Sequence, residues 1–150
     1  MISNPYLGQF EQQVLSADPI ELVSIIFDHL VASVVEARQH LLSGDRMARG
    51  RSIAKALGLL GELSRSLDME RGGELAQTLR QLYGFVAGRL VQAQTQQLER
   101  PLLEAAETLR PLRDAWKELD QTRFDGMPAA LSMGASSAAP ESGLNFGLNA

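Results

Sequence analysis

The chain has 150 residues, 45% of them apolar and 5% aromatic, with no cysteine and a formal net charge of −4. That composition supports one core but hardly two, and it excludes disulfides, thiolate nucleophiles and cysteine-ligated zinc. The negative charge, with no interleaving of aromatic and basic residues, argues against a nucleic-acid partner, while the apolar stretches fall far short of the roughly 18 residues that a membrane span needs.

Residues 1 to 15 read as an arm. Asn4 and Pro5 carry turn chemistry, and Tyr6, Phe10 and Val14 follow at spacings of four, which puts them on one face of a short helix. No Lys or Arg occurs in this stretch, so it lacks the charged start of a secretory signal, and a cytoplasmic protein is expected.

A helix start follows, with Asp18 able to cap free amides, Pro19 at the first helical position and Glu21 at the capping-box position. The first helix is predicted from Pro19 to Leu42. Within 22 to 35, nine of fourteen residues are large and apolar: Leu22, Val23, Ile25, Ile26, Phe27, Leu30, Val31, Val34 and Val35. At about 100° per residue they cover an arc of roughly 280°, whereas a bundle helix needs a stripe only somewhat wider than about 100°. The excess marks either a place for a partner or a helix at the centre of an unusually enclosed bundle.

Ser43, Gly44 and Asp45 supply a tight turn, and the second helix is predicted from Arg46 to Leu67. It is rich in small residues, including Gly50, Gly58 and Gly61, which read either as sites of close packing or as a shallow groove that admits another helix. Arg46, Arg49, Arg51 and Lys55 open it with positive charge where the helix dipole favours acids. A solvated basic face is the favoured reading and a docking patch for an acidic partner the alternative.

Asp68 to Gly73 forms the next turn, and Gly72 and Gly73 lack the pattern of a phosphate loop. The third helix, Glu74 to Gln96, places Leu75, Leu79, Leu82, Val86, Leu90 and Ala93 in a four-three rhythm, the seam of a left-handed bundle. Gly84 and Gly88 read as packing notches. The fourth helix, Arg100 to Gln121, repeats the rhythm through Leu102, Ala106, Leu109, Leu112, Trp116 and Leu119, with Pro111 expected to interrupt it and kink the helix near Glu107 to Pro111. Four helices of about 22 residues, each roughly 33 Å long, make an all-α, antiparallel up-and-down four-helix bundle.

From Arg123 on, sixteen of 28 residues are Gly, Pro, Ala or Ser, a composition that predicts a tail without fixed structure; Leu144, Phe146 and Leu148 alternate near its end. The chain therefore divides into an arm (1–15), a bundle (16–121) and a tail (122–150).

Catalytic and metal chemistry finds no foothold in these residues. Glu36 and His40 share a face, but two groups cannot complete a metal shell. Glu104, Glu107 and Arg110 form a surface ion-pair row rather than an acid and base pair. No cofactor is expected, and the chain is read as no enzyme.

Four strings in order, NPYLGQFEQQVLSADPIEL (4–22), SLDMERGGELA (66–76), LYGFVAGRLVQA (82–93) and LRDAWKEL (112–119), closely resemble the bacterial flagellar export chaperone family FliS, over residues 4 to 120. The resemblance implies a helical bundle that binds the C-terminal region of newly made flagellin in the cytoplasm, keeps it from polymerising early and supports its delivery to the type III export apparatus, with contact to export gate components and room for a homodimer. It also implies an arm lying over the cargo groove, so that Tyr6, Leu7 and Phe10 form a lid over helices one, two and four. Val14, Ile25, Tyr83 and Trp116 complete the expected partner-binding set. Pro111 and the tail depart from the family pattern. A histidine phosphotransfer bundle is the rival reading, but neither His29 nor His40 is followed by the Lys and Gly that such sites want; a passive dimerising adaptor is the third.

Overall fold

The structure, a computed structural model, describes residues 18–122. They form four helices, α1 (Pro19–Ser43), α2 (Arg46–Arg65), α3 (Gly73–Gln96) and α4 (Arg100–Thr122), with no strand among the described residues. The expected arm and tail lie outside these residues.

Local chemistry places the turns from the start of α1 to the end of α3. Asp18 Oδ1 accepts from the Glu21 N–H at 2.9 Å, and Pro19 follows in the first turn. At the other end Gly44 takes the left-handed conformation, φ 80°, which glycine adopts without steric cost. The Gly44 N–H donates to the Leu41 carbonyl at 3.2 Å and the Asp45 N–H to that of His40 at 2.9 Å, closing α1 in a Schellman arrangement. Asp45 then caps α2, accepting from the Ala48 N–H at 3.1 Å. Two residues thus end one helix and start the next, so α1 and α2 must run antiparallel. The α2–α3 connection turns on Asp68, whose Oδ1 accepts from the N–H groups of Glu70 and Arg71 at 3.1 and 3.0 Å. Gln97, at φ 56°, ends α3 and donates its N–H to the Ala93 carbonyl at 2.9 Å.

Each helix packs on its neighbours in the chain, and α4 closes back on α1. Phe27, Leu30, Leu63, Leu90, Leu102 and Leu109 are the largest side chains sealed at the centre, and truncating one Leu of this kind to Ala costs about 2–5 kcal/mol. Polar ties mark three of the seams: Arg49 to Gln94 at 3.1 Å between α2 and α3, Arg89 to Glu104 at 3.1 Å between α3 and α4, and Lys117 to Asp28 at 3.5 Å between α4 and α1. Exposed ion pairs contribute about 0–1 kcal/mol each, so these ties fix register while the apolar core supplies stability.

α4 runs on through Pro111, which lies on the exposed face and leaves its unbonded carbonyl, that of the exposed Glu107, on the water side. The packing-notch reading of Gly84 and Gly88 needs correction, since a Cβ at either position, or at Gly58, would have nothing within 4 Å. Gly72 is the glycine that packing does require: a Cβ there would sit 2.6 Å from the Ala76 Cβ and 2.8 Å from the Asp68 carbonyl oxygen. Gly72→Ala is therefore expected to cost about 1–3 kcal/mol in urea unfolding, while Gly84→Ala and Gly88→Ala should each stabilise α3 by about 0.5–1 kcal/mol.

Candidate functional site

The apolar arc of α1 is the natural place to look for leftover surface, and it is largely consumed by the fold. Val23, Ile26, Phe27, Leu30, Val31 and Val34 are buried, and Leu22, Ile25 and Val35 are half-buried. α1 packs against both α2 and α4, so two of its flanks face protein rather than solvent. The enclosed-helix reading accounts for six of the nine residues, and the remaining three leave a partly open stripe that includes Ile25.

Of the other expected contact residues, Tyr83 is 3% exposed and Trp116 6%. Tyr83 stacks its ring on that of Phe27, with centroids 6.4 Å apart and planes tilted by 54°. On α3 the fully buried row runs through Ala76, Leu79, Tyr83, Val86, Leu90 and Ala93, while Leu75 and Leu82 sit half-buried at its edge. Tyr83 and Trp116 thus stand behind the surface rather than on it. Tyr6, Leu7, Phe10 and Val14 lie outside the described residues.

The exposed large apolar side chains are Leu42, Met47, Phe85, Val91, Leu98 and Leu103. Phe85, 47% exposed, lies midway along α3. The Arg89 guanidinium carbon is 5.4 Å from the Phe85 ring centroid, and Arg89 Nη1 donates to Glu104 Oε1 at 3.1 Å, so a charged pair braces the ring against α4. Gly84 and Gly88 continue this surface as bare backbone. Arg89 Nε and Gln92 Oε1 are buried beside it without a hydrogen-bond partner. The result is an apolar ring, uncovered backbone and two unsatisfied polar atoms along one stretch of helix. A signal for these residues was present in the sequence, because Phe85, Val91 and Leu103 are large apolar residues that fall off the seam rhythm of their helices.

Acid–base chemistry is not favoured at any of these places. Burial pushes the Tyr83 phenol well above its ordinary range, so it stays protonated. Burial also lowers the His29 pKa from 6.5, helped by Lys55 across on α2 and opposed by Asp28 and Glu36. Among the described residues no group of three or more His, Cys, Asp or Glu stands close enough to hold a metal ion, and no helix is long and apolar enough to cross a membrane.

A helical core completed by its own side chains, with apolar surface left on the outside, has the build of a protein that works by holding another protein. The comparisons with known proteins sharpen that class. The family model for the flagellar protein FliS matches residues 2–123. The flagellar secretion chaperone FliS of Salmonella typhimurium is 34% identical over 110 residues, covering 73% of this chain and 82% of that protein. FliSB of Pseudomonas aeruginosa is 34% identical over 106 residues, 71% and 84% of the two chains, and FliS of Bacillus subtilis is 28% identical over 121 residues, 81% and 90%. The chain belongs to the FliS family of flagellar secretion chaperones.

The lowered pKa of His29 makes stability depend on pH. The unfolded chain takes up a proton near pH 6.5 more readily than the fold does, so the contribution of neutral His29 is complete above that value and is lost as pH falls toward the folded-state pKa. Urea titrations across this window should show stability falling with acid in the parent chain and a flatter profile in His29→Gln; identical slopes would remove His29 from the account.

Proposed function

We propose that this protein is a non-enzymatic chaperone that binds the C-terminal region of newly made flagellin in the cytoplasm, keeps it from polymerising early and supports its delivery to the flagellar type III export apparatus. Family membership supports the class of activity. The observation that carries the mode of binding is Phe85, a large ring half in solvent on an otherwise finished bundle, next to Gly84 and Gly88 with open space where side chains would stand. An amphipathic cargo helix laid along α3 gains the apolar area of Phe85 and approaches closely over the glycines, in the helix-in-groove mode of peptide recognition.

The three interior glycines of α3 and α2 that face open space, Gly58, Gly84 and Gly88, each forgo about 1 kcal/mol of helix stability relative to alanine. A chaperone that must accept and release cargo has a use for such surfaces, because close backbone approach gives contact area without a deep pocket that would hold cargo too firmly. Ile25, half-buried on α1, offers a second apolar contact. The arm residues Tyr6, Leu7 and Phe10 serve as a displaceable cover, with Val14 as a further contact to the partner, since one buried aromatic side chain contributes about 1.5–3 kcal/mol and a longer cargo segment outweighs it.

Calorimetry with a flagellin C-terminal fragment should give a one-to-one complex. Phe85→Ala should weaken that complex by about 1.5–3 kcal/mol while leaving the unfolding midpoint close to that of the parent, because the ring is not part of the core. No heat and no complex by native mass spectrometry would defeat the reading. Deleting residues 1 to 15 should speed association with the same fragment, and unchanged association and dissociation rates would remove the cover while leaving cargo binding intact.

A further inference from the structure

The α1–α2 and α3–α4 connections meet at one pole of the bundle, tied by Arg38 Nε donating to Glu99 Oε2 at 2.5 Å. Three of the exposed apolar side chains stand on these two connections and their flanks: Leu42 at 61% exposure, Met47 at 74% and Leu98 at 43%. Between them lies an open recess of about 560 Å³, lined by Leu41, Leu42, Gly44, Arg46, Arg49, Gln97 and Glu99.

The charge in this recess is unbalanced. Arg49 is only 4% exposed, yet its one hydrogen-bonding side-chain partner is the neutral amide of Gln94, at 3.1 Å from Nε. Among the described residues neither Arg46 nor Arg49 forms an ion pair. The acids of this pole are already engaged: Glu99 holds Arg38, Glu104 holds Arg89 and Arg100, and Asp45 caps the Ala48 N–H. Arg49 lines the open recess, and its remaining guanidinium nitrogens are not among the buried unpartnered atoms, so a carboxylate entering the recess would add charge-assisted hydrogen bonds there. The solvated-face reading of the basic start of α2 does not hold at Arg49, most of whose surface is covered by neighbouring side chains.

We propose that this pole is a second docking site, separate from the Phe85 surface, for an acidic amphipathic segment of another protein. A carboxylate of that segment occupies the recess against Arg46 and Arg49, and its apolar side chains cover Leu42, Met47 and Leu98. The argument is charge complementarity joined to uncovered apolar area at the same place. Apolar contact alone would not select for the two uncommitted cations, and a bare anion would leave the three apolar side chains in water. The site lies about 18 Å along α3 from Phe85, twelve residues at the helical rise, so cargo on α3 and a partner at the pole can be held together.

The test uses the full chain, isotopically labelled, and a synthetic helical peptide carrying Leu and Glu on one face, with a twin in which every Glu is Gln. The acidic peptide should shift amide signals at residues 41–49 and 97–99, and the twin should bind about tenfold more weakly. Arg46→Glu and Met47→Glu, both at exposed positions outside the core, should each weaken the acidic peptide about tenfold and leave the affinity for a flagellin C-terminal fragment unchanged. That control separates failure here from failure of the cargo reading. Equal binding of the two peptides, shifts confined to the Phe85 surface, the same shifts with inorganic phosphate alone, or self-association that Arg46→Glu abolishes would each overturn the proposal.

Discussion

Closure of α4 onto α1 is the contact on which the rest of this bundle depends. The α1–α2 and α3–α4 pairs are hairpins that short connections hold together, but neither hairpin can bury its inner face alone. When α4 meets α1, Phe27 and Leu30 from one pair and Leu102 and Leu109 from the other come to share a single dry interior. Phe27 reaches past the seam to stack on Tyr83 of α3, and Lys117 and Asp28 hold the register from outside. The price of burying so much of α1 is that little apolar surface remains on that helix for anything else.

What is left outside follows from that closure. The interior is narrow, and several of its positions are filled by Ala37, Ala56, Ala76, Ala93, Ala105 and Ala106, which let the helices approach closely. A large apolar residue off the buried row, such as Phe85, then has nowhere to go but the surface. The same geometry concentrates Leu42, Met47 and Leu98 at one pole, where two connections meet and no further helix among the described residues covers them. The two surfaces differ in chemistry. The Phe85 stretch combines an aromatic ring with bare glycine backbone, and the pole combines aliphatic side chains with cations that have no acidic partner among the described residues. One suits a helix lying lengthwise, and the other a segment that brings its own negative charge.

Helix boundaries were legible in the sequence because local chemistry decides them. Asp18 with Pro19, Gly44 with Asp45, and Asp68 with Gly72 act on backbone groups within a few residues of themselves, so no knowledge of the fold was needed to place them. The buried row of α4 was also readable from spacing. On α3 the rhythm missed by one position, choosing Leu75 and Leu82 where the fold buries Ala76 and Tyr83, since the spacing of apolar residues cannot say which edge of a broad stripe a neighbouring helix will cover. The surface was the least legible part. Glycine spacing cannot separate close packing from open backbone, and Gly58, Gly84 and Gly88 proved to be open. Arg49 looked like its exposed neighbours Arg46 and Arg51 until α3 supplied Gln94 beside it.

The residues alone therefore determined the helix count, the caps, the turn glycines and the family, because each of these rests on interactions between residues close in the chain or on strings compared in order. Which apolar side chains remained outside, and which cation was drawn in without an acid to match it, depended on how four rods settled against one another. That settlement joins residues far apart in the chain, through the rotation of each helix about its axis, and a few tens of degrees separate a core position from an exposed one.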